Sequence, residues 1–170
     1  MIIECTKKLA DTFKIELEDY ESRSEDAFYE WHANLFTFDR RRGILLMNNK
    51  TRYCIVLYDV KLAHFKRFDE IVINAIRETF LEEGFKEEVV NNYIDNCNTI
   101  SYTKTHDRSI IGQMNEFYIS ISWQIEDYIP SESLNLVNLN KWVGSSLMCG
   151  SLEYEHPINL LKKEIEKIMN

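Results

Sequence analysis

Chemistry-bearing side chains concentrate in Thr103–Glu116, where Lys104, His106, Asp107, Arg108, Ser109 and Asn115 fall at the hand-over from an extended run to a helical one. Asp107 has the residue type of a helix N-cap. Its carboxylate can accept from the exposed backbone N–H groups of a first turn and lies at the positive end of the helix dipole. Arg108 and Ser109 would then project from that turn, and Asn115 from two turns further on. Gly112 costs about 1 kcal/mol relative to alanine inside a helix, so the expectation is that another backbone or a ligand approaches closely there. Two further polar clusters stand upstream, Trp31-His32-Ala33-Asn34 and Asp39-Arg40-Arg41-Arg42.

Three chemistries can be tried on these residues. His32, Asp39, His106 and Asp107 carry donor types that suit Zn, Fe or Mn. The four histidines, His32, His64, His106 and His156, show no His-x-x-x-His spacing, however, so no metal site and no cofactor is expected. A Ser109–His106 nucleophile–base pair would have to align across a helix cap, and no Gly-x-Ser-x-Gly elbow is present, so no catalytic residue is assigned. Anion recognition is the better case. Arg40, Arg41 and Arg108 carry guanidinium forks suited to phosphate or carboxylate, and first-turn N–H groups add to them. The plainer alternative is a structural network in which Asp39 and Asp107 pair with Arg108 and with Arg40 or Arg41. The expected ligand-binding set is His32, Asn34, Asp39, Arg40, His106, Asp107, Arg108, Ser109 and Asn115.

The elements that must position these groups can be read along the chain. Met1–Cys5 reads as a strand and Lys7–Phe13 as a helix. Glu16–Glu30, with seven acids against Arg23, reads as an exposed excursion. Asn34–Asp39 alternates as a strand, Arg40–Gly43 reads as a turn with a glycine available for positive φ, and Ile44–Met47 and Tyr53–Tyr58 follow as strands. Together these predict a three-strand antiparallel meander. Phe68 to Phe80 recurs at helical spacing, with Gly84 as its terminator, and Lys86–Asp95 repeats the pattern. Thr99–Thr105 is extended. Arg108–Asp127 carries both a helical stripe and, over Ile119–Ile125, a strict alternation; the cap and the stripe favour helix. Pro130–Asn140 reads as loop and Trp142–Tyr154 as irregular, and Pro157 opens a last helix. The predicted class is α+β, an antiparallel sheet with helices on one face, in a single domain over residues 1–170.

Composition bounds the partners. At 170 residues, 45% hydrophobic and 28% charged, the chain has the make-up of a globular domain. Its net charge of −8 divides into −5 over residues 1–30, +6 over 31–67 and −9 over 68–170. An acidic molecule with one basic block does not suit bulk nucleic acid, because the overall field repels a polyanion. No apolar run reaches the roughly 20 residues that span a bilayer, so no membrane is expected. Cys5, Cys54, Cys97 and Cys149 are far apart and read as reduced core thiols, and the expected compartment is the cytoplasm. A nucleotide-like or other anionic small molecule, a protein partner and a homo-oligomer stay open.

Three pieces together resemble an uncharacterised family of small bacterial, plasmid and phage proteins, a domain of unknown function. They are Trp31-His32-Ala33-Asn34-Leu35 with Asp39-Arg40-Arg41, then Lys104-Thr105-His106-Asp107-Arg108-Ser109-Ile110-Ile111-Gly112-Gln113-Met114-Asn115, and the ending Gly150-Ser151-Leu152-Glu153-Tyr154 before Pro157-Ile158. The opening Ile2–Leu9 also fits. His106 stands where that pattern suggests an Asn-like residue. The resemblance implies one α+β domain and carries no catalytic assignment. The expected function is a binding or regulatory module in a mobile-element or phage-conflict setting, and an enzyme is the lesser expectation. A phosphate-directed hydrolase, a nuclease or phosphodiesterase using His32, Asp39, His106 and Asp107, is the alternative.

Overall fold

A computed structural model describes residues 1–19, 27–97, 99–129, 133–146 and 154–169. Five strands form one sheet in the order β4-β3-β2-β1-β5: β1 (Ile2–Cys5), β2 (Glu30–Phe38), β3 (Arg41–Asn48), β4 (Cys54–Tyr58) and β5 (Ser101–Lys104). The class is α+β, as the sequence pattern predicts, but the sheet is mixed. β2 with β3 and β3 with β4 pair antiparallel, whereas β1 pairs in parallel with β2 on one side and β5 on the other. Parallel neighbours need a long crossover. The first runs through α1 (Lys7–Phe13), and the second follows β4 through α2 (Phe68–Glu82) and α3 (Glu87–Asp95).

Helices cover both faces of the sheet, not the one face expected. On the first face α1, α2, α3 and α6 (Pro157–Met169) pack Leu9, Val72, Ile76, Val90 and Leu161 against Ile3, Trp31, Ile44, Leu46, Ile55 and Leu57. On the second, α4 (Arg108–Gln124) and α5 (Val137–Ser146) pack Ile110, Met114, Phe117, Ile121, Leu139 and Val143 against Phe36, Leu45, Met47, Cys54 and Val56. Alternate residues of β3 thus enter opposite cores, and burial on both faces suits an uninterrupted apolar strand.

Several local expectations need correction. The β2–β3 turn falls at Asp39 and Arg40, both at positive φ, one step before the expected position. Gly43 already lies in β3 opposite Phe36, whose ring covers it so closely that a Cβ would stand 2.0 Å from Cζ. Val137–Ser146 is helical although it spans the expected loop and irregular segment. Gly144 lets this helix approach Tyr53, where a Cβ would meet the ring at 2.5 Å. Gly112, by contrast, has nothing within 4 Å of a built Cβ, so close approach does not explain it. Glu30 is not on an exposed excursion but buried in β2. Tyr20–Asp26 and the Gly150–Glu153 stretch lie outside the described residues.

Other readings hold. Arg108–Gln124 is one helix, continued by a 3-10 turn to Asp127, and Asp107 caps it: its carboxylate accepts from the Ser109 N–H at 2.7 Å. Gly84 closes α2 at φ 89°. Cys5, Cys54 and Cys97 are buried free thiols. Burial pushes Cys5 and Cys97 up to about 12, which leaves them poor nucleophiles. Among the described residues no helix is long and apolar enough to cross a membrane.

Candidate functional site

β1 and β5 end level with each other while β2 continues past them to Phe38, and the exits of β1 and β5 diverge. β1 leads into α1 on the first face, while β5 leads into α4 on the second. In open sheets a crevice forms outside the carboxyl ends of parallel strands where successive connections part in this way. Register sets what stands beside it. Glu4 of β1 lies opposite His32 of β2 and opposite Thr103 of β5. Paired residues in neighbouring strands share a face, so all three side chains belong to the α4 side of the sheet.

Glu4 is the hub. Its carboxylate is fully buried in an otherwise apolar strand. Oε1 accepts from Asn49 Nδ2 at 2.7 Å. Oε2 accepts from the His106 backbone N–H at 3.0 Å and lies 2.5 Å from His106 Nδ1 and 3.2 Å from His32 Nε2. Asn49 ties the assembly from behind. Its Nδ2 also stands 3.4 Å from Glu30 Oε2, and its Oδ1 lies 2.7 Å from His32 Nδ1. Because a carboxylate can only accept, the Asn49 amide nitrogen faces Glu4 and the amide oxygen faces His32. His32 therefore carries its proton on Nδ1. Burial holds the His32 imidazole below its ordinary value, while the Glu4 carboxylate pulls in the opposite direction.

The residues singled out by sequence are partly gathered here. His32 and His106 meet on Glu4, and their rings lie 5.8 Å apart. Asp107 follows immediately and adds its charge to the field at His32. Asn34 is two residues beyond His32 on the same strand face, about 6.6 Å along β2, and accepts from Thr6 Oγ1 at 3.0 Å. Asn34 and Asn115 line one cleft of about 400 Å³ with Lys8, Phe36, Thr37 and Tyr118. Arg108 and Ser109 are exposed on the first turn of α4.

Asp39 and Arg40 do not join them. They occupy the exposed tip of the β2–β3 hairpin, seven residues and about 23 Å along β2 from His32. The α4 residue that reaches this end of β2 is Tyr118, whose hydroxyl donates to the Thr37 carbonyl at 3.2 Å. Tyr118 sits about 15 Å along the helix from Arg108, so the expected Arg–Asp network between hairpin and helix cap is not formed. Arg41 instead lies 3.7 Å from Asp59 at the surface.

Glu4, Asn49 and Thr103 are site residues that the sequence reading passed over. The signal for Glu4 was present: a lone carboxylate inside Ile2-Ile3-Glu4-Cys5 has no reason to be buried unless something holds it. Asn49 reads as a turn residue, and its neighbour Asn48 is one, accepting from the Lys50 and Thr51 N–H groups at 3.1 and 3.0 Å.

Fold and site together define a small α+β domain with a carboxylate–imidazole cluster, built on buried Glu4 and His32, at the carboxyl ends of β1 and β5. The chain belongs to the family described as a domain of unknown function, DUF6933, which matches residues 2–160. A comparison with curated proteins finds no match.

Proposed function

We propose that this domain is a binding module for a small anionic, nucleotide-like ligand seated in the cleft between β2 and α4. The observation that carries the reading is the make-up of that cleft. Lys8 brings a cation, and Asn34 and Asn115 bring carboxamides able to donate to phosphate or to a base edge. Phe36 and Tyr118, with ring centroids 5.2 Å apart, form an aromatic wall on which a planar base can lie. About 400 Å³ falls within the range of small-ligand sites. The basic hairpin tip begins two residues beyond Thr37, and Asp39, Arg40, Arg41 and Arg42 are not among the residues that line the cleft, so this reading does not use them.

A second reading, a phosphate-directed hydrolase, is favoured by one observation. The Glu4–His32–His106 cluster lies beside Asn34 on the same strand face, where two imidazoles and a carboxylate can move protons. Calorimetric titration with nucleoside mono-, di- and triphosphates and with inorganic phosphate tests the binding reading. One-site saturation weakened about tenfold or more by Lys8→Ala or Asn34→Ala is expected, since each removes a hydrogen bond to a charged group. Saturation unaffected by both variants, or none with any of these probes, refutes it. Phosphate release from the bound probe would move the assignment to the hydrolase.

A further inference from the structure

We propose that Glu4 Oε2, His32 Nε2 and His106 Nδ1 form a binding site for a divalent first-row transition-metal ion, with Asn49 as the group that orients two of the three ligands. These three atoms belong to residues whose donor atoms all lie within 4.8 Å of one another. Donors around a tetrahedral ion with bonds of about 2.1 Å stand about 3.4 Å apart. The 3.2 Å between His32 Nε2 and Glu4 Oε2 is close to that spacing. The 2.5 Å between His106 Nδ1 and Glu4 Oε2 must open by nearly 1 Å. His106 can supply the movement, because its side chain is 41% exposed and precedes α4 on a connecting segment.

The tautomer makes the argument specific. With its proton held on Nδ1 by the Asn49 oxygen, neutral His32 turns a bare lone pair toward the Glu4 carboxylate. Nε2 is buried and makes no hydrogen bond within the described residues. Two lone-pair atoms facing each other at 3.2 Å away from water require a positive centre between them, either a proton or a cation. The arrangement behind them is the one that metal ligands show. A ligating histidine donates its other ring N–H to an acceptor, and a ligating carboxylate is hydrogen-bonded through its second oxygen. The Asn49 carboxamide does both. Thr103, opposite Glu4 on β5, adds an independent sign of a polar ligand. Its hydroxyl is buried on the same face and makes no hydrogen bond within the described residues.

Two imidazoles and one carboxylate suit Zn(II), Fe(II) and Co(II), not Mg or Ca, which take oxygen donors. Three protein ligands leave coordination positions open, as in sites where the ion polarises a substrate oxygen or activates water. This inference does not rest on the cleft reading, since metal uptake needs no organic ligand.

The test uses the full chain, stripped with a chelator. Zn²⁺ is titrated by calorimetry and Co²⁺ by visible absorption. One ion per chain is expected, with Co²⁺ bands of a low-symmetry nitrogen and oxygen site. His106→Ala should weaken Zn²⁺ by about tenfold or more, and His64→Ala, outside the cluster, should leave it unchanged. Thermal melts check that the variants are folded, and His106→Gln, which keeps side-chain bulk, replaces the alanine variant if that one is not. A flat Zn²⁺ isotherm overturns the proposal. So does a folded His106 variant that binds as wild type, or a loss that follows His64→Ala, which would mark adventitious surface histidines.

Discussion

Replacing Asn49 by alanine isolates the group on which the buried cluster hangs. The side chain donates to Glu4 Oε1 at 2.7 Å and accepts from His32 Nδ1 at 2.7 Å, both buried. A hydrogen bond to a charged group contributes about 1.5–3 kcal/mol and one between neutral groups about 0.5–1.5. Glu4 keeps the His106 N–H, so its carboxylate is not left without a donor. The expected loss is therefore about 2–4 kcal/mol, below the roughly 5–15 kcal/mol that holds a domain folded. With a urea m-value of about 2 kcal/mol/M, a loss near 3 kcal/mol lowers the midpoint by about 1.5 M. Tryptophan fluorescence reports the transition through Trp31, which is fully buried and donates to Tyr93 Oη at 3.0 Å. Chelator in all samples keeps the comparison between metal-free chains. Glu4→Gln supplies the second side of a double-mutant cycle, and the two changes together should cost clearly less than their sum. A midpoint for Asn49→Ala within about 0.3 M of wild type would refute the reasoning, because two short buried hydrogen bonds cannot vanish at so small a cost.

Four more outcomes follow from the same structure. Asp107→Ala removes the N-cap of α4 and should cost about 1 kcal/mol in chemical denaturation. Arg40→Ala combined with Arg41→Ala should change stability by no more than about 0.5 kcal/mol, since the hairpin tip is exposed; a larger loss would show it to be structural. Gly144→Ala should destabilise by about 1–3 kcal/mol despite better helix propensity, because the new Cβ meets the ring of buried Tyr53, which is tied to Glu83. Glu155 accepts from Asn159 Nδ2 at 2.8 Å and from the His156 N–H at 2.9 Å at the start of α6, which lowers its carboxyl below the ordinary 4.5. A depressed carboxylate stabilises above its unfolded value and loses that contribution as pH falls through the folded one. The melting-temperature gap between wild type and Glu155→Gln, open at neutral pH, should thus close as pH drops below about 4.5.

What was legible in the sequence was local. Lys7–Phe13, the α2 stripe ending at Gly84, the Asp107 cap and the Pro157 start all depend on residues a few positions apart, and each stands where its pattern places it. What was not legible was pairing. Nothing in Ile2–Cys5 says that its neighbours are Glu30–Ala33 and Ser101–Lys104, and both must run parallel for Glu4 to meet His32 and Thr103. The two-sided packing did leave a trace. Ile44-Leu45-Leu46-Met47 and Cys54-Ile55-Val56-Leu57-Tyr58 do not alternate with polar residues, which is the composition of strands buried on both faces. Read with that rule, they exclude helices on one face only.

Where the charged residues stand in the fold was the harder inference. Arginine-rich Asp39–Arg42 and Arg108 suggested an anion site because charge was weighed by proximity in sequence. In the fold the arginines go outward, to the hairpin tip and the exposed first turn of α4, while the carboxylate that counts is buried. Surface charges are cheap to place and weakly coupled, whereas a buried carboxylate persists only where donors or cations hold it. Glu4, Glu30 and Asp107 around two imidazoles favour a cation at the ends of β1 and β5. Lys8 and two carboxamides favour an anion one step along β2. The two proposals meet at that boundary: a metal ion held by Glu4, His32 and His106 would present its open positions within reach of a phosphate in the cleft. If both hold, Zn²⁺ and the nucleotide should each raise the other's affinity by the same factor, because thermodynamic linkage is reciprocal. Titration of nucleotide with and without saturating Zn²⁺ measures that factor. A factor of one, with both ligands bound, would show two separate sites on one strand face.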